Sequence, residues 1–293
     1  MSTVRSITRA VKILDAFRNG STLTTTELAR SLRIPKSSIY EILSTLVAEG
    51  LVEKNDGRYR LGLRLIELAH AARQDMELGR IARPLIEKLR DELDETVQLT
   101  VLDRDEILYV EGCESSRQLR TFFEPGDKAP LYCTALGKAI LAFRPTPEIA
   151  RILRGKGLRA FTPRTLTDPT ALARDLARTA ARGYSIDDRE HEEGVRCIGA
   201  PIRNREGQVF ASISVSGPAH RVSPARDAQI APRVAAVADE VSRRRGWLPE
   251  RGVRPHGRLH HDTSIRSRKG GGKARERECD PGSRRLPPSR TRR

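Results

Sequence analysis

The stretch IPKSSIYEILSTLVAEGLVEKNDGRYRLG, from Ile34 to Gly62, decides the fold of the N-terminal part of this chain. Its first half carries apolar residues at helical spacing, which predicts a helix after Pro35 with one buried face. The residues of that face are Ile39, Ile42, Leu43, Leu46 and Val47. The other face carries a cation, hydroxyls, a phenol and a carboxylate, so it is either ordinary solvated surface or a contact surface.

The flanking segments complete a small domain. Upstream, TLTTTELARSLRI offers Thr24 to Thr26 as N-caps ahead of Glu27 and predicts a short helix, so two helices with a tight turn form a helix-turn-helix. Farther upstream, SITRAVKILDAFRNG predicts a helix that ends at Asn19-Gly20. The stripe expected to cover the other two helices is Ile7, Val11, Leu14 and Phe17. Downstream, an Asn-Asp-Gly turn joins two predicted strands, Leu51 to Lys54 and Arg58 to Leu61. Together these elements predict a winged helix-turn-helix, whose second motif helix can enter the major groove of DNA.

Length and charge agree with this interpretation without proving it. The 293 residues allow roughly two domains. A net charge of +16 and a pI near 10.4 favour a polyanionic partner. Residues 247–293 hold 14 Lys or Arg against 5 Asp or Glu, so more than half of the excess charge lies in this last segment.

Several classes of protein are disfavoured. No apolar run approaches the roughly 20 residues of a membrane span, and the start MSTVRSITRA does not resemble a signal peptide, so we expect a cytoplasmic protein that does not bind membranes. The cysteines, Cys113, Cys133, Cys197 and Cys279, have no CxxC spacing and no histidines at zinc-finger spacing. Reduced thiols are therefore expected, with no metal site and no cofactor.

We expect four segments: a winged helix-turn-helix over 1–62, a linker or dimerisation helix over 63–80, a second domain over 81–246, and a disordered basic tail over 247–293. In the linker, the apolar stripe is Leu65, Leu68, Ala72 and Met76, and Pro84 is expected to start a separate helix. A linker helix that packs on its own domain fits the pattern equally well. For the tail, a dispensable extension is favoured over a non-specific phosphate-contacting arm.

From Thr96 the hydrophobic period changes to two. TVQLTVL, EILYVEG and GVRCIGAPIRNREGQVFASISVSG predict strands, and TALGKAILAF, DPTALARDLARTAARG and a segment near Pro224 to Arg245 predict helices. Short connections favour an antiparallel sheet flanked by helices, so the fold class is α+β.

Four segments together resemble the isocitrate lyase regulator (IclR) family of bacterial transcription factors. They are LTTTELARSLRIPKSSIYEILSTLVAEGLVEKNDGRYRLG, PLYCTALGKAILA, GYSIDDREHEEGVRCIGAPI and ASISVSGPAHRVS, which span roughly Val4 to Arg244 in the family's order. The resemblance implies an N-terminal winged helix that binds a palindromic operator and a linker helix used in dimerisation. It also implies a C-terminal GAF-like domain that binds a small organic or aromatic acid.

The resemblance also indicates DNA-contacting residues. The family's Pro-Lys-Ser is present at the start of the recognition helix, but its usual His-Arg pair is replaced by Tyr40 and Glu41. Glu41 accepts only from cytosine and repels phosphates, so the operators of better-known relatives should not be transferred. The candidates are Arg5, Thr25, Lys36, Ser37, Ser38, Tyr40, Ser44 and Arg58, with Arg5 and Arg58 expected on phosphates.

The candidate effector-binding residues that match the family's pocket are Ala135, Leu136, Asp187, Cys197, Ser214 and Ser216. Ala135 and Leu136 begin a predicted helix and could offer backbone N–H groups to an anion. Ser214 and Ser216 are two apart and so face one side of a strand, although a solvated strand face is equally typical of that spacing. The resemblance thus implies carboxylate recognition without a metal.

Two alternatives are open. An enzyme is disfavoured because the Gly-Lys of ALGKA has Tyr132 and Ala139 where a P-loop needs Gly and Ser or Thr. Cys197, His191 and Asp187 could form a hydrolase site, but no oxyanion motif accompanies them. A non-specific DNA-binding protein organised by its tail is weakened by the roughly 150-residue second domain, which such a protein does not need. We expect a ligand-responsive regulator, and a repressor is favoured over an activator. We expect it to be a homodimer, and the sequence leaves a tetramer open.

Overall fold

The computed structural model describes residues 3–18, 20–75 and 77–248. The predictions made for Asn19, for Met76 and for the tail from residue 249 onward lie outside the described residues.

The N-terminal part is a winged helix-turn-helix, as predicted. Its elements are α1 (Arg5–Asp15), β1 (Leu23–Thr24), α2 (Thr25–Leu32), α3 (Lys36–Ala48), β2 (Val52–Asn55) and β3 (Arg58–Leu61). The three strands form an antiparallel sheet in the order β1-β3-β2. The short β1 strand was not predicted, because two residues carry no periodic signal.

A capping box starts α2. The Thr24 hydroxyl accepts from the Glu27 amide at 3.2 Å, and the Glu27 carboxylate accepts from the Thr24 amide at 2.6 Å. The cap is therefore Thr24, and Thr25 is the first helical residue. At the other end of α2, Arg33 takes φ 54° in the tight turn before α3.

The buried stripe predicted for α1 was partly wrong. Ile13 and Phe17 are buried and pack with Ile39 and Leu43 of α3, whereas Ile7 is 63% and Val11 is 51% exposed. Both faces of α1 carry apolar residues, so spacing alone could not tell which face α3 covers.

Two helices, α4 (Arg64–Asp75) and α5 (Glu77–Leu93), connect to the second domain. The prediction that Pro84 starts a helix was wrong, because Pro84 lies inside α5. The residues of α5 buried around it, Leu78, Ala82, Ile86, Leu89 and Leu93, continue one helical stripe. That packing outweighs the hydrogen bond that a proline cannot donate. In α4, Leu68 is 52% exposed.

The second domain is an antiparallel sheet flanked by helices, which confirms the α+β class. The strands are β4 (Thr96–Asp103), β5 (Glu106–Cys113), β6 (Lys128–Pro130), β7 (Ser185–Asp188), β8 (Val195–Arg203) and β9 (Val209–Pro218). Their order is β6-β5-β4-β9-β8-β7. The helices are α6 (Ala135–Leu141), α7 (Thr146–Lys156), α8 (Pro169–Arg182) and α9 (Asp227–Arg244), with a 3-10 turn at Pro224–Arg226. No helix among the described residues is long and apolar enough to span a bilayer.

The two faces of this sheet differ in chemistry. One face is apolar and packs against α5 and α9, with Val97, Ile198 and Ile213 fully buried. The other face carries Thr, Gln and Ser at alternate positions of β4 and β9, and it is buried as well. A buried polar face needs hydrogen-bond partners, and α6 lies against it.

We expect Arg33→Gly to stabilise the protein by about 0.5–1 kcal/mol, because glycine adopts a positive φ without the steric cost that arginine has. Chemical denaturation without DNA measures this change in the free energy of unfolding. Arg30→Gly is the matched control, since Arg30 is an exposed residue within α2 where glycine should destabilise by about 1 kcal/mol. Equal destabilisation by both substitutions would contradict the assignment of strain to Arg33.

Candidate functional site

The outward face of α3 presents most of the predicted DNA-contacting side chains to solvent. Lys36, Ser37 and Ser44 are exposed, Tyr40 is 57% exposed, and Ser38 is half-buried. The Ser44 hydroxyl donates to the Tyr40 carbonyl at 2.9 Å, so its lone pairs are what it can offer a base edge.

Arg58 has a structural role that the sequence did not indicate. Its guanidinium donates to the Thr22 hydroxyl at 2.9 Å and to the Thr22 carbonyl at 2.6 Å, and it lies 3.5 Å from Glu27. It therefore ties the wing to the start of α2. Arg5 is exposed in the first turn of α1, and Thr25 is half-buried. Sequence reasoning missed Arg33, an exposed cation in the turn that leads into α3.

The polar face of the six-stranded sheet aligns its side chains in rows. Strand pairing places Thr96 opposite Ser216, Ser216 opposite Cys197, and Cys197 opposite Asp187. The next row joins Gln98, Ser214, Gly199 and Ser185 in the same way. Residues two apart on a strand share a face, so both rows lie on one side of the sheet.

Helix α6 lies directly on this face. A Cβ at Gly199 would come within 2.9 Å of the Ala135 backbone, so the sheet has no room for a side chain there. The Ser185 hydroxyl donates to the Ala135 carbonyl at 2.6 Å, and the Ser212 hydroxyl to the Leu136 carbonyl at 2.9 Å. The start of α6 is thereby fixed over the strands.

A cavity of about 370 Å³ opens beside the start of α6. The structure brings all six predicted effector-binding residues, Ala135, Leu136, Asp187, Cys197, Ser214 and Ser216, to its wall. In the first turn of α6, Thr134 caps the Gly137 amide at 3.0 Å, and the amides of Ala135 and Leu136 precede the first helical hydrogen bond.

Burial shifts the pKa of three titratable groups in the wall toward their neutral forms. Burial raises the pKa of Asp187 to about 7, although its carboxylate accepts from the Glu190 amide at 2.7 Å. Burial also raises the pKa of the Cys197 thiol well above its ordinary value and lowers that of His191. A protonated thiol is a weak nucleophile, so these three residues do not resemble an activated hydrolase site.

Lys138 lies behind the cavity and is fully buried. Its ammonium donates to Asp175 at 2.8 Å and to Glu190 at 2.5 Å. Burial alone would lower the pKa of Lys138, but the two carboxylates raise it, so the side chain stays charged. Glu190 also donates its amide to Asp187, so the ion pair is one hydrogen bond from the cavity.

Residues 114–127, the strap, connect β5 to β6 and cross the mouth of the cavity, which they line with Arg120, Thr121, Phe122, Phe123 and Asp127. The Thr121 carbonyl accepts from the Thr96 hydroxyl at 2.9 Å, and the Thr121 hydroxyl donates to the Ser216 carbonyl at 3.2 Å. These strap residues and Gln98 and Tyr109 were not predicted. Polar and apolar residues alternate in TVQLTVL as they do in ASISVS, so the pattern that indicates Ser214 and Ser216 also indicates Gln98.

Within the described residues, no group of three or more His, Cys, Asp or Glu side chains is placed to hold a metal ion. The cavity wall instead supplies hydroxyls, amides and aromatic rings, which suit an organic ligand.

Comparison with known proteins identifies the family. The IclR helix-turn-helix domain matches residues 6–56, and the bacterial transcriptional regulator IclR C-terminal domain matches residues 70–243. The chain is 37% identical over 241 residues to the HTH-type transcriptional regulator BhcR of Paracoccus denitrificans, covering 82% of this chain and 86% of that protein. It is 34% identical over 245 residues to the transcriptional repressor IclR of Escherichia coli, covering 82% and 89%.

Among solved structures, an IclR homolog from Microbacterium hydrocarbonoxydans complexed with 4-hydroxybenzoate matches with a TM-score of 0.72 at 26% identity, covering 82% of this chain and 98% of that one. The winged helix-turn-helix and the α+β domain occur in the order that the two matched domains require. The chain therefore belongs to the IclR family of bacterial DNA-binding transcriptional regulators.

Proposed function

We propose that this protein is a ligand-responsive repressor that binds a palindromic operator as a homodimer and is modulated by a small organic or aromatic acid. The observation that carries the proposal is a cavity lined by hydroxyls, amides and aromatic rings in the same chain as an exposed recognition helix. We assign DNA binding to residues 1–62, dimerisation to 63–80 and effector binding to 81–246. The repressor of Escherichia coli among its relatives supports the sign of regulation.

Sequence-specific DNA contact rests on α3. A helix fits the major groove, and Lys36, Ser37 and Tyr40 offer a cation, a hydroxyl and a phenol on the exposed face. Glu41 is exposed on the same helix, so a cytosine is the base it can accept from. Because Tyr40 and Glu41 replace the family's usual His-Arg pair, the operator of this protein should differ in base sequence from those of its relatives.

Exposed apolar residues support a homodimer. Val4, Ile7 and Val11, on one side of α1, are 60%, 63% and 51% exposed. Leu63 and Ile66, at the start of α4, are 68% and 66% exposed. Apolar side chains grouped in this way are typical of a protein interface, and a two-fold dimer matches a palindromic site.

An acid is the effector class that the cavity favours. The first amides of α6 attract anions, and the Tyr109 and Phe123 rings, 6.2 Å apart between centroids, provide an apolar wall. The relative complexed with 4-hydroxybenzoate supports the same class. Effector binding shifts the placement of the two winged helices through the linker helix, so effector and operator change each other's affinity by typically ~1–3 kcal/mol.

Lys36→Ala and Ser37→Ala should each weaken binding to the intergenic DNA beside the protein's own gene by about tenfold, since each removes one contact of roughly 1–2 kcal/mol. Gel-shift titration against excess non-specific competitor, at a fixed salt concentration near 150 mM, measures this. Lys88→Ala, at an exposed lysine of α5, is the matched control and should bind as the parent does. Unchanged affinity in both test variants would remove α3 from the interface.

A variant that ends at Leu248 should keep a discrete complex with the same DNA, because the tail is expected to add only non-specific, salt-dependent affinity. The same titration at two salt concentrations checks this. Loss of the complex with the tail would instead favour a non-specific DNA-binding protein.

Ser214→Ala combined with Ser216→Ala should reduce the change in operator affinity that an acid effector produces, while affinity without effector stays the same. The physical reason is that both serines line the cavity and neither belongs to the winged helix. Ser223→Ala is the matched control, because Ser223 lies in the same domain, is absent from the cavity wall and makes no side-chain capping bond. A full effector response in the double variant would exclude the two serines from the site.

A further inference from the structure

Gln98 is the most informative residue of the cavity wall that the sequence analysis did not select. It lies in β4 opposite Ser214 of β9, lines the cavity, and is only 5% exposed. A buried primary amide has two N–H donors and a carbonyl acceptor to satisfy. The partners of those atoms determine what the cavity can recognise.

The amide oxygen of Gln98 has its partners within the protein. The Ser216 hydroxyl donates to Gln98 Oε1 at 2.9 Å and the Ser214 hydroxyl at 3.4 Å, while the two hydroxyl oxygens lie 3.4 Å apart. The Nε2 group differs, since it makes no hydrogen bond within the described part of the chain. Two N–H donors are therefore left for a ligand.

This arrangement changes the role of the serines. A hydroxyl has one proton: Ser216 lies 2.9 Å from Gln98 Oε1, while Ser214 lies 3.4 Å from both that oxygen and the Ser216 hydroxyl, so this network uses the protons of both serines. What they can offer a ligand in this arrangement is a lone pair, which repels a carboxylate. Their hydroxyls hold the amide in one orientation and leave recognition of an acceptor group to Gln98 and the first amides of α6.

The charged side chains of the wall do not replace this donor. Arg120 pairs with Glu114 at 2.8 Å, and Lys128 pairs with Asp103. Three carboxyl groups also line the cavity, on Asp127, Asp187 and Glu192. Because both wall cations are already paired, a ligand carboxylate gains most from a neutral donor that has no other partner.

We propose that Gln98 is the specificity-determining residue of the cavity, and that its Nε2 group donates to a carboxylate or carbonyl oxygen of the effector. The proposal rests on the proposed function, because it concerns the ligand of the same cavity. It predicts selection for a small monocarboxylate over its neutral amide, since an amide presents N–H groups to a donor.

Gln98→Glu tests this directly, because a carboxylate still accepts from both serines and only the donor is replaced. Calorimetric titration with acetate and benzoate, each beside its neutral amide, acetamide and benzamide, supplies the probes. The parent protein should prefer one of the carboxylates to its amide at least tenfold. Gln98→Glu should lose at least a hundredfold in affinity for that carboxylate and should reverse the preference, which a merely structural role would not do.

Two further variants make the outcome decisive. Gln229→Glu adds the same charge at an exposed site on α9 beside Arg226, and it should bind as the parent does. Gln98→Met keeps the size of the side chain and removes the donor without adding a charge. It should lose at least tenfold in affinity for the preferred carboxylate, and it replaces Gln98→Glu in the test if that variant does not fold. Circular dichroism establishes folding for each.

The results separate this inference from the proposed function. If the parent binds a carboxylate and both Gln98 variants bind it equally well, the inference is overturned and the acid effector stands. Preference of the parent for the amides would mean that Gln98 faces the cavity with its oxygen, which also overturns the inference. If the parent binds neither carboxylate at millimolar concentration, the acid effector and this inference both fail.

Discussion

The buried ammonium of Lys138 is the interaction on which the second domain depends, because separate segments must meet around it. Its partners are Asp175 on α8 and Glu190 after β7, and none of its side chain is exposed. A charge removed from water costs several kcal/mol unless paired ions and hydrogen bonds compensate it. Helix α6 can therefore take only the position in which α8 and the loop after β7 both reach Lys138. This requirement explains why a helix of only seven residues is held so firmly.

The fixed position of α6 in turn allows a sheet with a polar interior face. Thr100 and Ser212 share a hydrogen bond of 2.9 Å, and the carbonyls at the start of α6 accept from Ser212 and Ser185. These bonds satisfy groups that would otherwise destabilise a buried surface. The helix is short, so it covers only part of the polar face. The uncovered part becomes the wall of the cavity, with its polar groups already oriented.

Elements with a local chemical signal could be predicted from the sequence, and those that depend on distant partners could not. Asp168 caps α8 and Gly183 ends it at φ 80°, as the sequence indicates. The exposed side of α1, the continuation of α5 through Pro84, and helix α7, which was not predicted, depend on tertiary packing. The same limit applies to the site. Alternate serines in β9 are compatible with solvent or with a core, and only the helix laid on that face decides between them.

The way the strap is anchored has an evolutionary consequence. The carbonyl of Leu119 accepts from Arg221 at 2.7 Å, and the carbonyl of Thr121 accepts from Thr96 at 2.9 Å, so two anchors of this segment use backbone atoms that every residue type possesses. Side chains at Arg120 and Phe122 can therefore be exchanged during divergence without loss of those anchors. The strand residues beneath them lack this freedom, because each one satisfies a neighbour. The mouth of this cavity can accordingly accept other side chains, and with them other ligands, while its floor retains its chemistry.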